Sequence, residues 1–322
     1  MPTGRQVHLD TPMSNLLVAA FETQGDFVAQ RIFPVVPVGK QSDKYYTVNK
    51  NAWLKQPKTA RAPRTAANRI EFDISSDAYF ADNYALAAEI PVEDMANADA
   101  ALNLRRSNIA MLSRGLLADF EIRTVAAVAA NVSTISRVTG ASAWDAVSSA
   151  DIQGQVQDAH LSIFQNTGLR ANTIVLDYQT YLYAKRNSAL LSRFQYTATR
   201  PSLLNDDQIR EAFMVDNVLI ARSQKNNSNI GVATPSITSI WGPTVLLCRV
   251  ETGAPSLMTA TYGLSFRWTD PQLGAPMAVT SALEDAAGQR HIEILEGGYY
   301  QDEKVIASAL GYLINTKSGV AW

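Results

Sequence analysis

The stretch from Lys40 to Ile70 limits most strongly what this chain can fold into. It carries eight basic residues against one acidic residue, Asp43, although the net charge of the whole chain is -2. The remainder of the sequence is therefore acidic. A connection this long inside a compact domain is unusual, and such connections are usually functional or flexible. The pattern predicts a cationic arm that extends from an anionic body.

Two β-prone runs, Lys44 to Val48 and Arg69 to Ile74, lie near the two ends of the basic stretch, and they predict an extended β-hairpin with a basic tip. Trp53 and Leu54 near that tip are apolar anchors for a pocket on another subunit. The alternative is a mobile, solvated lysine-rich loop, but such a loop has no need of Trp53. The predicted interface residues are Lys40, Lys44, Lys50, Trp53, Leu54, Lys55, Lys58, Arg61, Arg64 and Arg69.

The residues around this hairpin predict a mixed α and β fold. Two short helices and the proline-containing run Phe33 to Val38, an extended connector or edge strand, precede it. After it, a long helix from about Ala100 to Ala130 has apolar residues three or four positions apart. The predicted helices of this part are Asn15 to Phe21, Phe27 to Ile32, Val92 to Ala98 and Ala100 to Ala130, the last with Ile109, Leu112, Leu116 and Phe120 on its apolar face.

The second half predicts a small α/β unit followed by a β-rich end. A Ser-, Thr- and Gly-rich segment, Asn131 to Trp144, marks a boundary, and a helix then runs from near Ser149 or Asp151 to a C-cap at Gly168. Strands and helices alternate after it. They are Thr173 to Leu176, Tyr178 to Arg186, Asp206 to Phe213, Val218 to Ile220 and Val245 to Val250, with a polar surface loop at Gln224 to Pro235. The last strands, expected to pack on the long helix, are Met258 to Trp268, Met277 to Glu284, His291 to Leu295 and Val305 to Ile314.

No pattern of catalytic, cofactor-binding or metal-binding residues emerges. The single cysteine, Cys248, lies in an apolar run and reads as a core residue. The three histidines show no metal-ligand spacing, and the common nucleotide and hydrolase motifs are absent. Acidic residues near helix starts favour the positive end of the helix dipole. These acids are Glu89, Glu93, Asp94 and Asp99, and the pairs Glu284-Asp285 and Asp302-Glu303 are expected to be surface or intersubunit charges.

Two further classes are disfavoured. No apolar run approaches the roughly 18 to 20 residues that cross a bilayer, and Met1 to Pro12 is too polar for a signal peptide. Cytoplasmic synthesis is therefore expected. A recognised nucleic-acid module with base-reading aromatic residues is missing, so sequence-specific DNA binding is not expected.

Three collinear segments resemble phage major capsid proteins. Ile32 to Val38 followed by Gln41 to Tyr46 resembles the opening of that family, where an N-terminal arm feeds a long hairpin. Trp144-Asp145 before a helix ending at Gly168, with Ala171 to Leu176 after it, is also similar. Tyr299 to Val305 with Ala309 to Ile314 is similar to the closing segment.

The resemblance implies an α+β fold, the Hong Kong 97-like capsid fold, in five segments. These are an N-terminal arm (1–38), an extended loop (39–80), a peripheral domain with the long helix (81–144), an axial α/β domain (145–250) and a C-terminal β segment that returns to the peripheral domain (251–322). Some relatives crosslink a loop lysine to a neighbour's asparagine, but no such pair of residues is identified in this chain.

The same resemblance implies a structural subunit without enzymatic activity or cofactor. Many copies would assemble from pentamers and hexamers into an icosahedral shell that encloses double-stranded DNA of a tailed phage. Expected partners are a portal and a separate scaffolding protein, the sequence leaves open whether a decoration protein joins them, and the expected location is the virion. Two alternatives stay open: an encapsulin-like compartment with protein cargo, and an oligomeric α/β enzyme whose pocket would hold convergent titratable groups.

Overall fold

The computed structural model describes residues 7–9, 11–23, 25–48, 56, 59–61, 64, 66, 74–97, 103–194, 203–229, 231–232, 234–251, 260–269, 278–284 and 292–317. The helices are α1 (Thr11–Thr23), α2 (Ala29–Ile32), α3 (Val92–Asn97), α4 (Leu104–Asn131), α5 (Ile152–Thr167), α6 (Tyr178–Arg186), α7 (Ser188–Arg193) and α8 (Asp206–Ala212). The strands up to the middle of the chain are β1 (Val7–Leu9), β2 (Val35–Val38), β3 (Ser42–Val48), β4 (Ile74–Phe80), β5 (Asp82–Pro91), β6 (Thr134–Arg137), β7 (Thr173–Asp177) and β8 (Asn217–Ala221). The later strands are β9 (Gln224–Asn226), β10 (Ile237–Ser239), β11 (Thr244–Cys248), β12 (Gly263–Trp268), β13 (Ala278–Glu284), β14 (Ile292–Val305) and β15 (Gly311–Asn315).

The larger sheet is built around β14. On one side of β14, β13 and β12 pair with successive parts of the strand, and β5 pairs along the other side. Strands β1 and β2 extend the sheet from β13 and β12. Helices α1 and α4 contribute the apolar side chains that close one core on this sheet, including Leu17, Ile109 and Leu116 against Leu295 and Tyr299.

The smaller sheet has the strand order β6-β15-β11-β7-β8 and forms the α/β unit. Its central strands β7 and β11 are buried at every position, as expected for a sheet with covered faces. The packing helix α5 begins after Asp151, one of the two predicted starts, and ends at Gly168 as predicted. Its N-cap side chain, Asp151, accepts a hydrogen bond from the Gly154 amide, and Gly168 ends the helix with a positive φ of 71°.

The long helix α4 contributes to both cores. Its N-terminal half packs on the larger sheet through Ile109, Leu112 and Leu116, whereas Val128 near its C-terminus belongs to the core of the α/β unit. The apolar face predicted from the sequence is therefore confirmed, since all four of its predicted residues are buried. The helix connects the two sheets through one continuous hydrogen-bonded element.

The N-terminal segment is held to the body by both backbone and aromatic contacts. Strand β2 pairs in parallel with β12, and Phe33 just before it is fully buried. Phe33 lies against Gly263, where an added Cβ would be 2.4 Å from the Phe33 ring. The predicted edge strand at residues 33–38 is thus confirmed for β2.

Three elements differ from the sequence-based expectation. Thr134–Arg137 lies within the predicted boundary segment, yet it forms β6 at the edge of the smaller sheet. The last strand, β15, also joins that sheet rather than the larger one. Strand β5 was not predicted, because its sequence contains three alanines and two acidic residues, which have low β propensity.

Two further expectations need correction. The polar segment from Gln224 contains strand β9, which pairs with β10 as a short exposed hairpin instead of remaining a plain loop. Glu303 is not a surface charge, because its side chain is 6% exposed and pairs with Arg123 of α4 at 3.0 Å. Asp302 is also engaged within the chain, since it accepts a hydrogen bond from the Phe80 amide.

Candidate assembly interface

The base of the predicted extended hairpin is formed by β3 and β4. The two strands pair in antiparallel register from Ser42 opposite Phe80 to Val48 opposite Ile74. Because alternate residues of a strand point to opposite faces, the hairpin has one face toward the body and one face away from it. The predicted strand at Lys44 to Val48 is confirmed, whereas residues 69–73 of the second predicted strand lie outside the described residues.

The inner face of the hairpin is anchored by two tyrosines. The rings of Tyr45 and Tyr79 lie 5.2 and 4.6 Å from the Phe266 ring of β12. Tyr45 donates a hydrogen bond to Asp77, and Tyr79 donates one to the Lys40 carbonyl. Partial burial, together with this bond to Asp77, raises the pKa of Tyr45, so the phenol stays neutral. These contacts fix the direction in which the hairpin leaves the body.

The outer face of the hairpin presents exposed aromatic side chains. Tyr46 is 65% exposed and Phe80 is 54% exposed, and both lie on the face opposite Tyr45 and Tyr79. Lys44 and Ala78 form a cross-strand pair between them. We call Lys44, Tyr46, Ala78 and Phe80 the hairpin outer face. Large apolar groups that are left this exposed are characteristic of interaction sites.

The two described lysines at the hairpin base have different surroundings. Lys40 forms an ion pair with Asp43 at 3.1 Å. The Lys44 amide and then Lys40 lower the pKa of Asp43, which keeps this carboxylate ionised. Lys44 is exposed, and no carboxylate within the described part of the chain pairs with its ammonium group. Among the described residues, Lys44 therefore presents a cation that no carboxylate neutralises.

The structure locates only part of the predicted interface. Lys40 and Lys44 lie at the base, and Arg61 and Arg64 are exposed farther along the loop. Arg64 has a left-handed backbone with φ of 65°. Lys50, Trp53, Leu54, Lys55, Lys58 and Arg69 lie outside the described residues, so their predicted role stays a prediction.

Sequence reasoning missed Tyr46 and Phe80. The signal for Tyr46 was present, since two consecutive tyrosines in a strand must point to opposite faces, and only one of them can pack on the body. Phe80 follows a run that contains no comparable pattern. Only the pairing register of β3 and β4 shows that Phe80 lies on the outer face of the hairpin.

Cys248 and His160 are buried in the core of the protein. Burial raises the pKa of the Cys248 thiol to about 12, which makes this cysteine unreactive as a thiolate near neutral pH. His160 lies 2.9 Å from the Phe213 carbonyl oxygen, and burial lowers its pKa. In the described ranges, no three His, Cys, Asp or Glu side chains converge as a metal site. None of the described helices is both long and apolar enough to span a membrane.

Comparison with known proteins finds two relatives that are both described as major capsid proteins. No protein-family model matches the chain. The major capsid protein of Pseudomonas phage JBD67 is 24% identical over 302 residues, covering 92% of this chain and 93% of that protein. The major capsid protein of Burkholderia phage BcepMu is 23% identical over 316 residues, covering 97% of each chain.

Solved structures show the same fold. A phage-related protein from Bordetella bronchiseptica RB50 aligns with a TM-score of 0.71 at 21% identity, covering 96% of this chain and 97% of its own. The capsid of cyanophage P-SCSP1u aligns with a TM-score of 0.57 at 12% identity, covering 90% and 87%. A virus-like particle from Pyrococcus furiosus aligns with a TM-score of 0.54 at 9% identity, covering 94% and 97%. The resemblance to phage major capsid proteins, predicted from three sequence segments, is confirmed over nearly the whole chain.

Proposed function

We propose that this chain is a shell-forming major capsid protein of a tailed bacteriophage. The observation that carries the proposal is the collinear similarity to two phage major capsid proteins over more than nine-tenths of each chain. A similarity that covers both chains almost completely includes the cores and the projecting hairpin together. It therefore favours the same molecular role, a structural subunit without a catalytic site.

The Hong Kong 97-like organisation is part of this proposal. Residues 1–38 form the N-terminal arm and 39–80 the extended loop. Residues 81–144 form the peripheral domain with the long helix, 145–250 the axial domain, and 251–322 the C-terminal segment. Two observations support this division: the long helix α4 lies against the larger sheet, and an α/β unit follows it. Strands β6 and β15 pair within the smaller sheet, so the axial unit would take one strand from each flanking segment.

Assembly would depend on the cationic loop of one copy lying across the anionic surface of the next. Opposite charges guide docking and set the register, but each exposed ion pair contributes only about 0 to 1 kcal/mol. Burial of apolar anchors would supply more of the free energy of association. Trp53 is the predicted anchor in the loop tip, and Tyr46 and Phe80 are exposed at its base.

The partners and location follow from the same role. Many copies would form pentamers and hexamers of an icosahedral shell in the virion, after synthesis in the host cytoplasm. A portal, a separate scaffolding protein and, in some shells, a decoration protein would join them. The shell would enclose double-stranded DNA without reading its sequence, because an acidic body contacts phosphates weakly.

Negative-stain electron microscopy of the purified full-length protein tests the proposal. We expect closed, uniform shells. A protein that stays monomeric at high concentration would contradict the shell function. Analysis of particles isolated from phage-producing cells then separates the alternatives, since DNA inside them supports the capsid and a specific enzyme cargo supports an encapsulin-like compartment. This second measurement is needed because the fold is also similar to that of a virus-like particle from Pyrococcus furiosus.

A further inference from the structure

Strand β6 is an edge of the smaller sheet. It pairs in parallel with β15 on one side, and no strand among the described residues pairs with its other side. The Val138 amide, directly after β6, donates a hydrogen bond to the Asn315 carbonyl of β15 at 3.2 Å. Because successive residues of a strand direct their backbone groups to alternate sides, the N–H and C=O groups of Ile135 and Arg137 point away from β15. Such an edge is a template for an added strand.

A small pocket opens beside this edge on one face of the sheet. The pairing register places Ile135 next to Leu313 and Arg137 next to Asn315. These four side chains line the pocket together with Ala129 of α4. Leu313 and Asn315 are buried, whereas Ile135 is 46% exposed. The size of the pocket suits one aliphatic side chain rather than a cofactor.

The apolar surface continues from the pocket along α4. Ile122 is 39% exposed, and Ala126 one turn later is also exposed. Ile122, Ala126 and Ala129 are spaced four and three residues apart, so they share one side of the helix. Apolar side chains that are exposed together beside a free strand edge are characteristic of surfaces that bind another chain.

The same edge carries basic side chains at one end. Arg137 is exposed, and so is Lys317, which follows the Asn315 partner of Arg137 by two residues. No carboxylate of the described residues pairs with either cation. Two β6 edges placed against each other would bring the cations of both copies together, so charge disfavours this edge as its own partner. A strand that carries a carboxylate would instead be attracted.

We propose that the β6 edge binds an extended segment of a second protein, in which an aliphatic residue and an acidic residue are two positions apart. Residues two positions apart in a strand lie on the same face, as Ile135 and Arg137 do. The aliphatic side chain enters the pocket beside Ile135, and the carboxylate pairs with Arg137. Backbone hydrogen bonds to the free edge hold the added strand, while these two side chains select its sequence. The inference goes beyond the proposed shell function, because it places a separate partner on the α/β unit.

A fluorescein-labelled synthetic peptide, Thr-Thr-Val-Thr-Glu-Thr-Thr, is the probe for this edge. Its binding to the full-length protein is measured by fluorescence anisotropy, both with unassembled subunits and with particles. A control peptide, Thr-Thr-Thr-Val-Glu-Thr-Thr, has the same composition but places valine and glutamate on opposite faces of a strand. We expect the probe to bind both forms of the protein at least about tenfold more tightly than the control peptide.

A charge reversal identifies the residue that selects the acidic position. Arg137→Glu should weaken binding of the probe at least about tenfold and should favour a peptide in which lysine replaces the glutamate. Arg114→Glu, at an exposed position of α4 outside the pocket, is the matched control and should bind the probe like the wild type. Circular dichroism and the thermal midpoint verify that both variants are folded. An Arg137→Glu variant that is folded and binds the probe as tightly as the wild type would overturn the assignment.

N-methylated probes test whether the peptide is added as a strand. A methyl group on alternate amides blocks only one edge of an extended peptide, because successive amides point to opposite sides. Of two probes methylated at the odd or at the even positions, one should bind like the parent probe and the other should lose binding. Equal effects of the two patterns would contradict strand addition.

Two further outcomes separate the possible occupants and the two proposals. A probe that binds subunits but not particles would show that a neighbouring copy covers the β6 edge in the shell, which overturns a separate protein as the occupant. Absence of probe binding to either form overturns the docking site, yet shells still form and the proposed function survives. Protein that binds the probe but forms no particles would instead contradict the shell function.

Discussion

Glu121 joins three distant parts of the chain through a single buried carboxylate. It is fully buried on α4 and accepts hydrogen bonds from the amides of Val28 and Ala29, from the Ser223 hydroxyl and from the Trp241 indole. No basic side chain pairs with it in the described portion of the chain. Burial raises its pKa, although the hydrogen bonds, led by that of Trp241, act in the opposite direction. The N-terminal segment, the long helix and the α/β unit therefore share one polar centre.

Glu121→Gln should lower the free energy of unfolding by about 1 to 3 kcal/mol. The amide keeps one acceptor oxygen, but its NH₂ group would face amide and indole groups that can only donate. Urea denaturation measures the loss. Glu211→Gln, at an exposed position, is the matched control and should change stability by less than about 0.5 kcal/mol. Equal stability of the two variants would mean that the Glu121 contacts are not important in solution.

The same residue predicts a pH dependence. Since the pKa of Glu121 is raised above its ordinary value of 4.5, the native state binds more protons than the unfolded state just above that pH. The free energy of unfolding therefore falls as pH rises through this window. The stability advantage of the wild type over Glu121→Gln should narrow from pH 4.5 toward neutrality. Denaturation curves measured across that range test this prediction. A stability advantage of the wild type that widens with rising pH would mean that the pKa of Glu121 is lowered instead.

At the scale of elements, Arg123 ties the long helix α4 to the larger sheet. Its guanidinium stacks 3.4 Å from the centroid of the Tyr84 ring of β5 and pairs with Glu303 of β14. It also contacts Asp119 one turn earlier on the helix and the Tyr299 hydroxyl. The sequence could not reveal this network, because Arg123 and Glu303 are 180 residues apart.

Arg123→Met should cost about 3 kcal/mol, because it leaves the Glu303 carboxylate buried without its partner. Methionine keeps most of the side-chain volume, so the loss reports on the charge and the hydrogen bonds. Arg114→Met changes an exposed arginine of the same helix and should be nearly neutral. Thermal or urea unfolding measures both variants, and a similar small effect of each would contradict the importance of this ion pair.

The N-terminal segment depends on a glycine beneath an aromatic ring. Gly263→Ala would place a methyl group against the buried Phe33 ring and should destabilise the protein by about 1 to 3 kcal/mol. Gly39→Ala is the matched control, because no atom lies within 4 Å of its added Cβ. Combining Gly263→Ala with Phe33→Leu should recover part of the loss. Full stability of Gly263→Ala alone would show that Phe33 does not pack here in solution.

At the scale of the whole molecule, charge is distributed unevenly along the chain. The stretch from Lys40 to Ile70 carries eight basic residues and one acidic residue, while the rest of the chain has a net negative charge. The structure anchors the base of this segment, strands β3 and β4, to the body through Tyr45 and Tyr79. We expect substitutions at the predicted loop tip, which contains Trp53, to affect assembly without affecting folding.

Replacing Trp53 with Ala and Lys50, Lys55 and Lys58 with Ser should raise the protein concentration required for assembly at least about tenfold. The thermal midpoint of the unassembled protein should not change. Light scattering and electron microscopy measure assembly. The matched control removes three exposed basic residues of the body, Arg106, Arg114 and Arg193, and should assemble like the wild type. If the loop variant assembled as well as the wild type, the proposed role of the loop in assembly would be contradicted.

The sequence by itself determined the elements whose signals are local. The long helix α4, the helix α5 between Asp151 and Gly168, and the buried strands β7 and β11 followed from periodicity and capping. Each signal is carried by residues within a few turns or a single strand, so it does not depend on the rest of the fold.

Only the tertiary structure decided features that depend on residues far apart in the chain. Strand β5 forms because β14 pairs with all ten of its residues, despite its low β propensity. The exposure of Tyr46 and Phe80 depends on the hairpin register and on what the body covers. The same long-range pairing neutralises Glu303 and leaves Glu296, seven residues earlier on the same strand, open to solvent. Which face of a strand is covered is decided by the elements that pack on it, and local sequence does not specify those elements.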